Sequence, residues 1–363
     1  MKILVIGKPT YNVILPVEAY MAEGSKTKIN EKLESGGGAS FYTAYLLAKW
    51  GADVAYTGVV GSDAYGAQIK TELEAAGVDA RFIETNYENP TSFNYLIVNR
   101  ANGSSTQIIK DDSKLNLTKY KYDFIPDIII MDGTDLNGGL AALNNFPKAK
   151  SIVFANRVSE DIYTLAKKAT YVIANVDYAK ALTKLELEVN KPKALVSFMQ
   201  KIKDLNKAEY VVMMREYGVL YSSERQVKML PAISIEKKLD DTNSGNIFFG
   251  TFCHAIVNNF SIDNAVKLAN IAGGLGLTKL GTINAIPDLA EVFKIAGINP
   301  TQAERVAPTE PVISAPVETI SDETAEPKMA VSVQSESLAT STPEAPVPVN
   351  TPEVVTEVQI NNE

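Results

Sequence analysis

The 363 residues suffice for one large α/β domain or two small ones, and a hydrophobic fraction of 45% suits a chain that buries a real core. A single cysteine, Cys253, excludes an internal disulfide framework and fits a reducing compartment. No run of eighteen apolar residues suggests a membrane span, so a cytoplasmic protein is expected. The net charge of −8 is unevenly placed. Residues 301–363 carry eleven acidic side chains against two basic ones, which leaves the first 300 close to neutral and without the clustered Lys and Arg of a nucleic-acid footprint.

"KILVIG" reads as a short buried first strand. "ASFYTAYLLAKWG" repeats apolar residues at helical spacing and stops at Gly51, a natural helix end. "ADVAYTGVVG" is a strand, and "AYGAQIKTELEAAGV" a helix ending near Gly77. "DIIIMDG", "SIVFAN", "YVIAN" and "YVVMMR" are further strands, separated by helical stretches such as "SEDIYTLAKKA" and "ALVSFMQKIKDLNK". This alternation predicts a mostly parallel sheet with helices on both faces. Two β-rich segments interrupt it, at about 12–35 and 91–112, the second with a hairpin turn at "RANGSS". They are expected to form one small lid sheet over the strand ends, where open α/β sheets place their ligands.

The character of the chain changes near 299. Residues 301–363 hold eight prolines, no glycine and no aromatic residue, a composition that cannot offset its ordering entropy by burial. A disordered acidic tail is expected over 299–363, either passively solubilising or carrying a docking segment such as "EVVTEVQI" for another protein.

Two glycine turns open helices. Gly36, Gly37 and Gly38 precede one, and "DDTNSGNIFFG" (240–250) puts Gly245 at the start of another. Bare backbone and helix N-terminal amides at such turns can hold an anion. Several other candidates read as packing or capping. His254, beside Cys253 on an apolar helix, makes no zinc site, and Trp50 ends a helix. Asp132 and Asp135 follow a strand, where a capped loop competes with a ligand role.

The Gly-Gly turn, the helix ending at Gly51 and "GVVGSDAYG" (Gly58, Gly61, Asp63, Gly66) resemble the first signature of the ribokinase-like, phosphofructokinase-B-type carbohydrate kinases. "DDTNSGN" stands where that family writes D-T-T-G-A-G-D, and Gly281, Ile286 and Pro287 fit its Gly…Ile-Pro pattern. The resemblance runs over about residues 1–296. It implies a kinase domain over 1–298, a three-layer α/β sandwich with a mostly parallel central sheet and a small β lid. It also implies ATP with Mg²⁺, a sugar or nucleoside as phosphate acceptor, and a homodimer joined through the lid edges.

Residue by residue, the resemblance places the general base at Asn246 and the anion hole at Asn243, Ser244 and Gly245. Substrate contacts fall at Asn12, Gly37, Gly38 and Tyr42, and nucleotide contacts at Asn175, Arg215, Gly218 and Asp240. Positions of the base, the anion hole, the metal organiser, the nucleotide loop and the substrate contacts depart from the family pattern. Asn246 replaces the catalytic Asp, and an amide cannot accept a proton at neutral pH. Asn243 and Ser244 replace Gly and Ala, and Asn243 adds a side chain where close approach to an anion is wanted. "NVDY" keeps Asn175 of the N-x-x-E element that organises metal and phosphate but puts Tyr178 at the Glu, with Asp177 one residue away. "MMREYG" keeps only Gly218 and puts Arg215 at a glycine. Asn12 replaces an Asp, and Tyr42 an Asn. Two readings follow: a family homologue with impaired phosphotransfer that keeps a binding role, or an active kinase in which Asp177, Asp240 or Asp241 serves as a relocated base.

Overall fold

A computed structural model describes residues 1–111 and 114–300. The expected tail beyond 300, and the last residue of the second lid segment, lie outside the described residues. The chain begins β1 (Lys2–Ile6), β2 (Thr10–Val17), β3 (Leu33–Gly37), α1 (Ala39–Lys49), β4 (Asp53–Gly61), α2 (Ala64–Ala75), β5 (Asp79–Asn86), β6 (Phe93–Asn99) and β7 (Ser105–Lys110). It continues with β8 (Ile128–Met131), α3 (Leu136–Asn145), β9 (Lys150–Ala155), α4 (Glu160–Ala166), β10 (Tyr171–Asn175), α5 (Val176–Thr183), α6 (Pro192–Leu205) and β11 (Glu209–Met213). After these come β12 (Val219–Ser223), β13 (Gln226–Leu230), α7 (Ser244–Val257), α8 (Ile262–Gly276) and α9 (Leu289–Ala296).

Nine strands form one sheet in the order β13-β12-β11-β10-β9-β8-β1-β4-β5, parallel from β5 to β11. β12 and β13 add antiparallel at one edge, an extension that the sequence pattern did not single out. Strands buried on both faces read as continuous apolar runs, and β1 shows why. Its Ile3 and Val5 enter the core beneath α1, α7, α8 and α9, while Leu4 and Ile6 enter the opposite core beneath α3 to α6. With helices on both faces of the sheet, this is the three-layer α/β sandwich that the resemblance implies.

Four strands make the lid, in the order β3-β2-β6-β7. Its β6–β7 turn is the expected hairpin, closed by the Gly103 amide on the Asn99 carbonyl at 2.7 Å, with Gly103 at φ +67°. Residues 18–32, expected to be β-rich throughout, form a loop between β2 and β3. Asp63 ties lid to sandwich. It caps α2 through the Gly66 amide at 2.9 Å and also accepts the Thr91 amide at 2.7 Å.

The helix that carries the second glycine turn is seated by small residues on its neighbour. A Cβ on Gly276 of α8 would stand 2.5 Å from Ile247 of α7, and one on Gly273 3.1 Å from the Ser244 carbonyl. Among the described residues no helix is long and apolar enough to cross a membrane.

Candidate active site

The turn before α7 is held from behind. Asp240 is buried and accepts the amides of Thr242 at 2.9 Å and Gly281 at 3.2 Å. Asn243, also buried, donates its Nδ2 to the Gly281 carbonyl at 2.9 Å. Asn243 gives α7 no side-chain cap, and the first intrahelical bond runs from the Ile247 amide to the Asn243 carbonyl. The amides of Ser244, Gly245 and Asn246 therefore have no partner within the helix. The Asn243 side chain was expected to stand where close approach is wanted. Instead it turns back into the protein. Gly245 is the open position: a Cβ there would meet nothing nearer than Phe154 at 3.9 Å and Met213 at 4.0 Å. The fold itself does not require a glycine at 245.

Asn246 is half-buried, and its Nδ2 lies 3.5 Å from Asn243 Oδ1, too long for a strong bond. Each carboxylate considered as a relocated base has a partner in this structure, the Asp177 pair being the exposed one. Asp240 is spent on backbone amides, and burial pushes its pKa up. Asp241 accepts Ser105 Oγ at 2.9 Å and pairs with Lys238 at 3.2 Å. Asp177 pairs with Arg215, Oδ2 to Nη2, at 2.7 Å.

The residues expected to contact the nucleotide meet at the adjacent ends of β10 and β11, where Asn175 pairs with Met213 in register. Asn175 caps α5 through the Tyr178 amide at 2.8 Å and donates Nδ2 to the Asn156 carbonyl, so both ends of its amide are used. Tyr178 is wholly buried in the α3–α6 core, its ring 4.8 Å from that of Tyr163. Arg215 adopts φ +56°, a left-handed conformation natural to the glycine that the family writes there. Gly218 (φ +94°) makes a turn that no side chain would fit, since a Cβ would approach the Leu230 carbonyl to 2.1 Å.

A cleft of about 650 Å³ opens between the lid and the C-terminal ends of β1, β8 and β9. Lys8, Thr10, Gly38, Asn94, Asp132 and Arg157 are among its walls. Of the predicted substrate residues only Gly38 lines it. Asn12 is buried behind the wall, accepting Asn94 Nδ2 at 3.1 Å and Thr10 Oγ1 at 3.2 Å. The space above Gly37, expected to be free for a ligand, is filled by Asn12, whose Nδ2 lies 2.2 Å from where a Cβ would sit. Tyr42 is 1% exposed and belongs to the core beneath α1.

Asp135 is the cap of α3, accepting the Gly138 amide at 2.7 Å. Asp132 accepts the amides of Ser40 at 3.0 Å and Thr134 at 2.9 Å, and so fixes the start of α1 while forming part of the wall. His254 is buried against the edge of Trp50 at 5.2 Å, and burial pushes its pKa down to about 4.

A family model for pfkB family carbohydrate kinases matches residues 1–289. The chain belongs to this family. A curated ribokinase from Haemophilus influenzae is 22% identical over 269 residues, which are 71% of this chain and 86% of that one. The solved ribokinase of Thermotoga maritima superposes with a TM-score of 0.64 at 21% identity, over 81% of this chain and 99% of that one. The Arabidopsis thaliana ribokinase, solved with ribose and ATP, superposes with a TM-score of 0.66 at 17% identity, over 82% and 99%.

In this member of the carbohydrate-kinase family, the positions predicted for the base, the anion hole and the nucleotide fall into two groups. Asp240, Asn243, Ser244, Gly245 and Asn246 share one turn, and Asn175, Arg215 and Gly218 lie at the neighbouring strand ends. Met213, 4.0 Å from the Cβ position of Gly245, joins the two. Asn12, Gly37 and Tyr42 lie behind the cleft. Sequence reasoning missed Lys8, Thr10, Asn94 and Arg157. Lys8 and Arg157 had a signal, since each follows the C-terminal end of a parallel strand, β1 and β9.

Proposed function

We propose that the chain binds a sugar or nucleoside-like polyol in the lid cleft and a nucleoside triphosphate at the turn before α7, and transfers phosphate slowly or not at all. What carries this reading is that the base position holds the amide of Asn246, while Asp240 and Asp241, the carboxylates of the same turn, are engaged elsewhere.

Fit to a triphosphate is supported by the open backbone at Gly245 and the free first-turn amides of α7, whose dipole favours an anion. When bound, ATP supplies an electrophilic γ-phosphoryl group. Mg²⁺ would be held largely by phosphate oxygens and water. Among the described residues no three His, Cys, Asp or Glu side chains gather to receive it. Within the chain's own residues, Asn246 can orient an acceptor hydroxyl through its carbonyl oxygen but cannot take the proton as the hydroxyl attacks. Lys8, Asn94 and Thr10 offer polar contacts to a polyol in the cleft.

The test is a phosphotransfer screen over sugars and nucleosides with ATP and Mg²⁺, run on the wild type and on Asn246→Asp. The reading expects little or no wild-type turnover and a gain on the order of 10²-fold or more in the variant. Wild-type turnover in the ordinary kinase range, roughly 1–100 s⁻¹, sinks it in favour of an active kinase.

A further inference from the structure

Arg215 combines three features that a surface arginine seldom shares. Its backbone is left-handed at φ +56°, a conformation that costs a side-chain-bearing residue free energy and is free to glycine. It follows Met213 and Met214 at the end of β11, and Met213 lies 4.0 Å from the open Cβ position of Gly245. Its guanidinium meets Asp177 through a single nitrogen, Nη2, at 2.7 Å. Both side chains are well exposed, at 69% and 57%, so the pair is of the weak, water-screened kind.

We propose that Arg215 is a phosphate-recognition residue and that Asp177 holds it in reserve until a polyphosphate displaces the carboxylate. The proposal rests on the nucleotide-side reading above and adds to it a specificity-determining residue. A guanidinium has five donors in a planar fork that matches two phosphate oxygens, whereas Asp177 engages one nitrogen. Exchange of a singly bonded carboxylate for a doubly bonded phosphate needs only a side-chain rotation at the surface. Asp177 stands in the first turn of α5, where the helix N-terminus stabilises its charge once the arginine leaves. A residue kept in an unfavourable backbone conformation is accounted for if its side chain has work to do at that place.

The experiment is calorimetric titration of the full chain with ATP, and separately with inorganic triphosphate, in buffer containing Mg²⁺. Wild type is compared with Arg215→Gly, Arg215→Lys and Asp177→Asn, and melting temperatures are recorded for each. Arg215→Gly should bind both ligands about tenfold more weakly while melting at the same temperature or higher, because the left-handed turn is relieved. Arg215→Lys should fall between the two. Asp177→Asn should bind roughly two- to fivefold more tightly, since the competitor for the guanidinium is gone. The proposal is overturned by unchanged affinity in Arg215→Gly, by weaker binding in Asp177→Asn, or by a wild type that binds neither ligand. Brisk wild-type turnover with these affinity changes intact would overturn the impaired-transfer reading and leave this one standing.

Discussion

The side chain of Asn243 donates to the carbonyl of Gly281 at 2.9 Å, and the amide of the same Gly281 is taken by Asp240 at 3.2 Å. Both polar backbone groups of one residue are thus engaged by the turn that opens α7. Asn243→Gly would restore the family's residue but leave a buried carbonyl without its donor. We expect a loss of about 1–3 kcal/mol in urea denaturation. A variant as stable as wild type would show that the bond is dispensable.

Gly245→Ala separates the fold's needs from the ligand's. Apart from the adjoining backbone of α7 itself, no protein atom lies closer than 3.9 Å to the added methyl, and alanine favours a helix by about 0.5–1 kcal/mol. Thermal stability should hold or rise. Affinity for inorganic triphosphate should fall several-fold, because the methyl enters the space in which an anion meets the first-turn amides. Unchanged affinity would place the anion elsewhere.

Asp63 links α2 to the lid through the Gly66 and Thr91 amides. Burial raises its pKa, but the bonds from Thr91 and Gly66 outweigh that effect and leave the carboxyl lowered. A carboxyl lowered by folding contributes stability above its unfolded pKa, and that contribution is lost as pH falls below about 4. Asp63→Ala should cost about 2 kcal/mol near neutral pH and loosen the lid. The loosening would appear as faster hydrogen exchange in β6, and exchange unchanged there would refute the link.

His254 gives a second acid-sensitive term. Its folded pKa of about 4 lies below the ordinary 6.5, so the unfolded chain binds the extra proton first as pH falls. Stability is complete above pH 6.5 and declines toward pH 4, by on the order of 3 kcal/mol across that window. In His254→Gln the slope between pH 6.5 and 4 should flatten, and denaturation midpoints measured across that range would show it.

The sandwich was legible because its signals are local. Apolar runs such as "DIIIMD" and "SIVFAN", and glycine stops at Gly51 and Gly77 (φ +86° and +90°), announce strands and helix ends without reference to the rest of the chain. The site was only half legible. Spacing located the α7 turn, but not that Asn243 faces Gly281, because a side chain's direction depends on what packs behind it. Asn12 and Tyr42 were placed by homology of position, yet Asn94 stands in front of one and the other lies on the core face of α1. Lys8 and Arg157 escaped although each follows a parallel strand, because that signal points to one cleft only once β1 and β9 are assembled side by side with β8.

The central place of β1 has a consequence for synthesis. Its partners are β4 and β8, so Leu4 and Ile6 wait for a strand that ends at Met131. Until roughly that much chain has left the ribosome, one of the most apolar stretches of the molecule has a single neighbour. Nascent chains shorter than this should be captured by chaperones, and longer ones released progressively from them.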